Sequence, residues 1–209
     1  MKIPSINAQS IEQKIELIET SYAEGNISTE ELEIICKLVS TQKLTTIFEF
    51  GTFDGRTTIN LANNTSALSK IYTLDLPKHL SKSTKYPLGE EAGYFDSTYV
   101  DKEKSGQKYL GKKGSEKIIQ LYGDSATFDY SSLLHTMDLV FVDGSHGEDY
   151  VLNDTEIALK LCKEGGIIIW HDYGVWSSVT KILNKYYKED PRFSNLKTIK
   201  GTSLAILFL

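Results

Sequence analysis

The chain has 209 residues, 40% of them hydrophobic and 24% charged, and its formal net charge is −5. That length suits one domain with its own core, and the acidic balance argues against a general nucleic-acid binder. Because the longest apolar runs are too short to cross a membrane and the first residues lack the apolar stretch of a secretory signal, we expect a cytoplasmic protein that does not bind membranes.

Two helices are predicted in the first part of the chain. Residues 10–24 carry apolar side chains at helical spacing, namely Ile11, Ile15, Leu17 and Ile18, and Gly25 ends that pattern. Ser28 and Glu31 have the spacing of a capping box in front of a second apolar helix. We therefore expect an N-terminal helical extension over residues 1–43, and its helices are a candidate surface for forming a homo-oligomer.

Strands and helices alternate after residue 44, which is typical of a parallel sheet with right-handed crossovers. Short apolar or β-branched runs predict strands at 45–50, 70–75, 117–122, 138–143, 166–171, 195–200 and 203–209. Helices are predicted at 56–66, 125–134, 148–163 and 176–187. Only Gly201 and Thr202 join the last two strands, and so short a join forces an antiparallel hairpin. The predicted fold is therefore α/β, with a mostly parallel seven-stranded sheet, an antiparallel last strand and helices on both faces.

Residues 77–116 are too numerous for a simple connection between a strand and the next one. They are polar and rich in lysine, and they contain the aromatic residues Tyr86, Tyr94, Phe95, Tyr99 and Tyr109. Long connections in compact domains are usually either functional or disordered. We interpret this insertion as a mobile cap, with a short helix, over the carboxyl edge of the sheet. An insertion without a role is the alternative.

Each of the first five predicted strands delivers an acidic residue to the same edge of the sheet. These acids are Glu49, Asp75, Asp124, Asp143 and Asp172. Ligands of open α/β sheets bind outside the carboxyl ends of the strands, whereas helix capping by aspartate explains one or two such residues but not five. A ligand site is predicted at this edge. For Asp124 and Ser125, capping of the helix at 125–134 is an equally good interpretation.

Residues 47–58 form the predicted centre of that site. An apolar strand leads into Glu49, then into Gly51 and Gly55, and then into the start of a helix. Glycine lets the backbone turn sharply and approach a ligand closely, and the first N–H groups of the helix point at whatever is bound. Asp75 follows about twenty residues beyond the turn, where an acid accepts hydrogen bonds from both ribose hydroxyls.

This pattern resembles the class I S-adenosylmethionine-dependent methyltransferases over residues 44–209. Glu49, Gly51 and Gly55 match their first motif, Asp75 and Asp124 match the acids of their second and third strands, and the closing hairpin is a trait of the family. The resemblance implies a Rossmann-like methyltransferase fold and S-adenosylmethionine as the cofactor. The residues that it assigns to the cofactor are Glu49, Gly51, Thr52, Phe53, Gly55, Asp75, Asp124, Ser125 and Asp143.

Two further segments resemble a bacterial group of small-molecule O-methyltransferases related to cephalosporin- and macrolide-modifying enzymes. They are residues 141–146, FVDGSH, and residues 165–172, GGIIIWHD. Some members of that group, like catechol O-methyltransferases, hold Mg²⁺ with acids at the ends of strands four and five. Asp143 and Asp172 have those positions here, and Mg²⁺ prefers oxygen ligands. This chain has His171 where related enzymes can have a second carboxylate or amide.

The predicted function is the transfer of a methyl group from S-adenosylmethionine to a hydroxyl of a small molecule. Asp143, His146 and His171 are the predicted catalytic residues, because imidazole titrates near neutral pH and Mg²⁺ at Asp143 and Asp172 would activate a hydroxyl. A structural role is the alternative for each histidine. Trp170 and Trp176 flank His171 and Asp172 and are candidates for lining a substrate pocket, and core packing is an equally good interpretation for Trp170.

Two other functions fit the same sheet. The first is an NAD-dependent oxidoreductase, although a dinucleotide site favours Gly-x-Gly-x-x-Gly, and here Phe53 lies between two glycines that are four residues apart. The second is a non-catalytic protein that binds a nucleoside ligand, since a fold does not dictate activity.

Overall fold

The computed structural model describes residues 2–8 and 12–209. Its strands are β1 (Ser5–Ile6), β2 (Thr46–Phe50), β3 (Lys70–Asp75), β4 (Glu90–Glu91), β5 (Tyr94–Phe95), β6 (Ile118–Tyr122), β7 (Met137–Val142), β8 (Cys162–Trp170), β9 (Lys197–Ile199) and β10 (Ala205–Phe208). Its α-helices are α1 (Thr29–Thr41), α2 (Arg56–Asn63), α3 (Asp96–Val100), α4 (Glu148–Leu161) and α5 (Ser177–Glu189). No helix in the described ranges has both the length and the apolar character needed to span a membrane.

Eight strands of the described chain form one sheet, in the order β1-β9-β10-β8-β7-β2-β3-β6. The strands from β8 to β6 run parallel to one another, and β10 is antiparallel to β8 and β9. This arrangement confirms the predicted Rossmann-like α/β fold and its antiparallel last strand. The predicted count of seven strands is one too low, because Ser5 and Ile6 of β1 add to the edge by pairing with Thr198 and Ile199.

The parallel strands are buried on both faces, which is why they are continuous apolar runs in the sequence. Successive residues of β2 point to opposite faces: Ile47 belongs to the apolar cluster that contains α1, and Phe48 to the cluster that contains α4 and α5. All six residues of β7 are buried. The helices therefore hold the sheet rigidly from both sides and leave the carboxyl ends of its strands open.

The helix predicted at 125–134 is wrong, because this segment forms turns. Side-chain oxygens compete there for the backbone N–H groups that a helix would need. Asp124 Oδ1 accepts from the N–H of Ala126, and Asp129 Oδ1 from the N–H of Ser131, both at 2.9 Å. Tyr130 packs edge-on against Phe48 on the sheet, so the segment satisfies its polar groups and covers the core without helical periodicity. The capping role considered for Asp124 and Ser125 is therefore excluded.

The first predicted N-terminal helix is also wrong over residues 12–24, while Ile11 lies outside the described residues. Asparagine side chains of α2 form hydrogen bonds with backbone groups of this segment. Asn60 Oδ1 accepts from the N–H of Ile18 at 2.9 Å, and Asn60 Nδ2 donates to the carbonyl of Glu19 at 2.7 Å. The apolar spacing therefore reflects packing of an extended segment. The second predicted helix forms as α1, with Ser28 and Glu31 in the expected capping box.

The insertion at 77–116 contains the β4–β5 hairpin and the short helix α3. Two of its lysines fix the N-terminal segment: Lys108 Nζ donates to the carbonyl of Ser21, and Lys112 forms an ion pair with Glu19. The insertion and residues 12–28 are therefore joined to each other as well as to the sheet.

Replacing Asn60 by Ala should release the N-terminal segment. The change leaves partly buried backbone groups of Ile18 and Glu19 without this partner, which should lower the free energy of unfolding by about 1 kcal/mol. Hydrogen exchange should rise at residues 16–19. Asn63→Ala is the matched control, because Asn63 makes one solvent-exposed bond to the carbonyl of Glu16. Equal losses in both variants, measured by urea unfolding, would contradict this account.

Candidate active site

A cavity of about 790 Å³ opens at the carboxyl ends of the parallel strands. Its wall combines the loops after β2, β3, β6, β7 and β8 with parts of the insertion and of the N-terminal segment. The structure brings most of the predicted site residues to this wall, namely Gly51, Thr52, Phe53, Asp75, Asp124, Ser125, Asp143, His146, His171 and Asp172. Glu49 and Gly55, which are also predicted site residues, do not line it.

The loop between β2 and α2 passes very close to the end of β7. Gly51 has a φ of 85°, and a Cβ added to it would lie 2.1 Å from the carbonyl oxygen of Asp143. No other residue fits there without moving one of the two backbones. Phe53 also has a positive φ, 48°, and strained conformations of this kind collect at functional sites.

Gly55 does not line the cavity and packs against the insertion, so its predicted contact with the cofactor stays a prediction. Its φ is 87°, and a Cβ on it would lie 2.8 Å from the Cα of Gly106 and 2.7 Å from the ring of Tyr109. Both neighbours belong to the insertion. Gly55 therefore allows the insertion to pack on the start of α2, and it meets no part of the cavity wall.

Glu49 lies beneath the glycine loop and is 1% exposed. Its carboxyl oxygen Oε2 accepts hydrogen bonds from Thr58 Oγ1 (2.5 Å) and Thr73 Oγ1 (2.6 Å). Burial raises the pKa of Glu49 to about 8, although these two hydrogen bonds oppose the rise. Thr73 in turn contacts Thr52 Oγ1 at 2.7 Å, so Glu49 reaches the cavity wall only through two threonines.

Asp75 lies at the end of β3 with 7% of its surface exposed. Its Oδ2 is 3.0 Å from Lys102 Nζ and accepts a hydrogen bond from Ser105 Oγ. Both partners come from the insertion. The carboxylate predicted to hold a ribose is thus paired with a lysine in this structure.

Asp124 lies at the end of β6, beside the mouth of the same cavity. It accepts hydrogen bonds from the N–H of Lys85 (2.7 Å), the N–H of Ala126 (2.9 Å) and the hydroxyl of Tyr150 (2.8 Å). These bonds connect the insertion, the turn after β6 and helix α4. Asp124 therefore fixes the three elements that bound this end of the cavity.

His146 is held between two carboxylates. Its Nδ1 is 2.6 Å from Asp96 Oδ1, its Nε2 is 2.8 Å from Asp172 Oδ2, and its ring stacks on Trp176 with 4.2 Å between centroids. Burial by itself lowers the pKa of His146, but the bonds to Asp172 and Asp96 raise it to about 9. The two carboxylates therefore favour the imidazolium form of His146, and Trp176 lines the cavity beside it.

His171 lies in a second cluster of acids. Its Nδ1 is 3.0 Å from both Asp143 Oδ1 and Asp172 Oδ2, and its Nε2 is 3.4 Å from Glu31 Oε2. Burial opposes protonation, yet Asp143, Asp172 and Glu31 together hold the pKa of His171 well above its usual value. Asp172 links the two histidines and has a φ of 63°, so its backbone is constrained where its side chain is used.

Asp143, His146 and Asp172 each present one ligand atom, and these atoms all lie within 4.8 Å of one another. Two carboxylate oxygens and an imidazole nitrogen form a donor set that suits a divalent cation. A metal ligand must be deprotonated, so an ion here would compete with the protons that the histidines hold. Asp143, His146 and Asp172 therefore fit a divalent ion when His146 is deprotonated. His171 lies beside these three residues and is not one of them.

Several residues of the site have no signal in the local sequence. Asp96, Lys102 and Ser105 come from the insertion, whose path could not be predicted, and Glu31 was interpreted only as a capping residue. Glu31 Oε1 also accepts from the N–H of Ser203 at 2.8 Å. The capping box uses only Oε2 of Glu31. A capping glutamate has a second oxygen for another contact, and this is the one sign of the wider role of Glu31 in the sequence.

Residues 48–173 match a family described as a methyltransferase domain. The matched stretch is more than half of the chain, and it runs from β2 to just beyond β8, which includes the glycine loop and both histidines. No match to this chain was found among curated proteins.

Solved structures of methyltransferases share the fold. The methyltransferase PaMTH1 of Podospora anserina, bound to SAH, has a TM-score of 0.62 at 16% identity over 89% of this chain and 81% of that one. The O-methyltransferase TomG of Streptomyces achromogenes, involved in tomaymycin synthesis and bound to SAM, has a TM-score of 0.59 at 14% identity. That match covers 88% of this chain and 81% of TomG. An O-methyltransferase of Bacillus cereus in complex with SAH has a TM-score of 0.57 at 15% identity, over 90% of this chain and 84% of that one.

The family match and the shared fold confirm the resemblance found in the sequence and decide against the NAD-dependent oxidoreductase. The chain therefore belongs to the methyltransferase domain family, as a member of the class I S-adenosylmethionine-dependent methyltransferases.

Proposed function

We propose that this protein transfers the methyl group of S-adenosylmethionine to a hydroxyl oxygen of a small molecule. One observation carries the proposal. A single cavity has the glycine loop with Asp75 in one part of its wall, and the polar cluster of Asp143, His146 and Asp172 in another. The first part suits a nucleoside, and the second suits an acceptor hydroxyl that must lose a proton.

The glycine loop and Asp75 support cofactor binding. Gly51 lines the cavity, and its missing side chain lets the loop lie against the carbonyl of Asp143, beside the space left for a ligand. Asp75 would accept hydrogen bonds from the two ribose hydroxyls in place of those from Lys102 and Ser105. The three similar structures that are bound to SAM or SAH support the same choice of cofactor.

The cluster of acids and histidines supports the chemistry on the acceptor. When bound, S-adenosylmethionine would supply an electrophilic methyl carbon; the acceptor oxygen would displace its sulfur there, which leaves S-adenosylhomocysteine and one proton for the site to accept. Alignment of the reacting atoms is a proximity effect that the rigid strand ends supply. Although burial opposes it, the neighbouring acids raise the pKa of both histidines, so the carboxylates of Asp143 and Asp172 are the groups that would accept a hydrogen bond, and then the proton, from the acceptor hydroxyl.

A divalent ion is the second part of the proposal. Asp143, His146 and Asp172 would hold it, and when bound it supplies a Lewis acid that lowers the pKa of a hydroxyl. The resemblance to O-methyltransferases that hold Mg²⁺ at the ends of strands four and five supports this choice.

Replacing Asp75 by Asn should weaken binding of S-adenosylhomocysteine by about tenfold, because the charge-assisted bonds to the ribose are lost. The loss would be larger if the same change did not also remove the competing ion pair with Lys102. Isothermal titration calorimetry measures this directly. Asp129→Asn removes an exposed carboxylate outside the cavity wall and should bind like the unaltered protein. Unchanged affinity in a folded Asp75 variant would rule out the proposed ribose contact.

Replacing Asp143 by Ala should abolish turnover while affinity for S-adenosylhomocysteine changes by less than about threefold, since the carboxylate acts on the acceptor. Turnover is measured as S-adenosylhomocysteine formed with a panel of small hydroxylated compounds. Parallel loss of turnover and cofactor affinity in a folded variant would place Asp143 in cofactor binding alone. Tight cofactor binding by the unaltered protein with no turnover on the whole panel would favour the non-catalytic alternative.

Mg²⁺ or Mn²⁺ should raise the melting temperature of the unaltered protein, because an ion that binds only the folded state stabilises it. Binding should also release protons, measured by calorimetry in two buffers of different ionisation enthalpy. Asp172→Asn should remove both effects, and Asp129→Asn should keep them. The divalent-ion part of the proposal is wrong if no shift appears at saturating ion concentration.

A further inference from the structure

Carboxylates dominate the wall of the active-site cavity in the described part of the chain. Ten carboxylate residues line it, against one lysine, two histidines and no arginine. The ten are Glu24, Glu31, Asp54, Asp75, Glu91, Asp96, Asp124, Asp143, Asp154 and Asp172. Burial raises the pKa of Asp154 to about 7, so this residue adds less negative charge than the other nine. A cleft lined by one sign of charge focuses its field and concentrates ligands of the opposite sign.

The few cations of this wall are already paired. Lys102 lies 3.0 Å from Asp75, His146 bridges Asp96 and Asp172, and His171 contacts Asp143. The lining residues that the structure describes therefore offer no unpaired cation to an anionic acceptor. A carboxylate or phosphate on the acceptor would be desolvated next to like charges, which is unfavourable.

The cofactor alone does not balance this charge. S-adenosylmethionine carries a sulfonium and an ammonium against a single carboxylate, so its net positive charge is small beside the excess of carboxylates in the wall. The proposed divalent ion would add two positive charges at Asp143 and Asp172, so the negative charge left for the acceptor lies toward Glu24 and Glu91.

The rim of the cavity is apolar and aromatic. Tyr22, Tyr94 and Val175 line it with 64%, 57% and 64% of their surfaces exposed, and the half-buried Trp176 lies beside them in the wall. Aromatic faces of this kind stack on rings and attract cations.

A carboxylate and further aromatic side chains meet at the same rim. Glu24 is exposed and lines the cavity. Burial raises the pKa of the Tyr99 hydroxyl, and the nearby charges of Glu24, Asp172 and Asp96 raise it further. The negative field therefore extends from the acid cluster to the aromatic rim.

We propose that the acceptor is a hydroxylated aromatic amine, carrying a positive charge at neutral pH. This inference rests on the proposed methyl transfer and names the substrate class of the same cavity. The ring lies against the tyrosine and tryptophan faces, the amine lies in the field of Glu24 and Glu91, and the hydroxyl faces Asp143 and Asp172. The wall disfavours acceptors with phosphates, such as coenzyme A thioesters.

Three catechols with the same hydroxyls and different charges test the proposal: dopamine, methylcatechol and dihydroxyphenylacetic acid. Calorimetric titration into the protein saturated with S-adenosylhomocysteine should give about tenfold tighter binding for dopamine than for the acid, with methylcatechol between them. The ratio should fall as salt is added. Equal or tighter binding of the acid, or binding of none of the three, would overturn the assignment.

Glu24→Lys tests the local origin of the preference. It should lower the ratio of dopamine to acid affinity by about threefold or more. Glu164→Lys makes the same change of charge on an exposed residue near the amino-terminal end of β8, at the opposite edge of the sheet, and should leave the ratio unchanged. An equal effect of both variants would contradict a local field. Binding of S-adenosylhomocysteine is measured first, so failure of the cofactor proposal is distinguished from failure of the charge proposal.

Discussion

The contact between Gly51 and the carbonyl of Asp143 is the constraint on which the rest of the site depends. Two neighbouring parallel strands, β2 and β7, end at the same height, and their exits pass so closely that no Cβ fits between them. This contact places the loop that leads into α2 beside the carboxylate of Asp143. The glycine loop and the cluster of Asp143, His146 and Asp172 are thereby held at one fixed separation, which is what the proposed transfer between two bound groups requires.

The rest of the cavity wall comes from parts of the chain that are far apart in sequence. The insertion supplies Asp96 to His146 and Lys102 to Asp75, and helix α1 supplies Glu31 to His171. Lysines of the insertion also hold the N-terminal segment. The acids at the strand ends therefore serve both as a binding surface and as anchors for the elements that enclose it.

The sheet could be predicted from the sequence because its strands are short apolar runs buried on both faces, and such runs carry their own signal. The acids at the strand ends could be predicted for the same reason, since the strand positions fix them. The sequence did not predict the structure of residues 125–134 and 12–24. There, hydrogen bonds to the side chains of Asp124 and Asn60 replace the backbone bonds of the helices that the apolar spacing suggested. The roles of Asp96 and Lys102 depend on the path of the insertion, for which no local pattern exists.

The ion pair between Lys102 and Asp75 has a consequence for any ligand of this cavity. A nucleoside that reaches Asp75 exchanges partners with an ammonium group that is already there, and it does not meet a bare carboxylate. The measured binding energy is then the difference between two sets of charge-assisted bonds, and it is smaller than the ligand's own contacts suggest. The charge of Asp75 is thus already balanced by Lys102, and a ligand binds this carboxylate only by replacing the ammonium group.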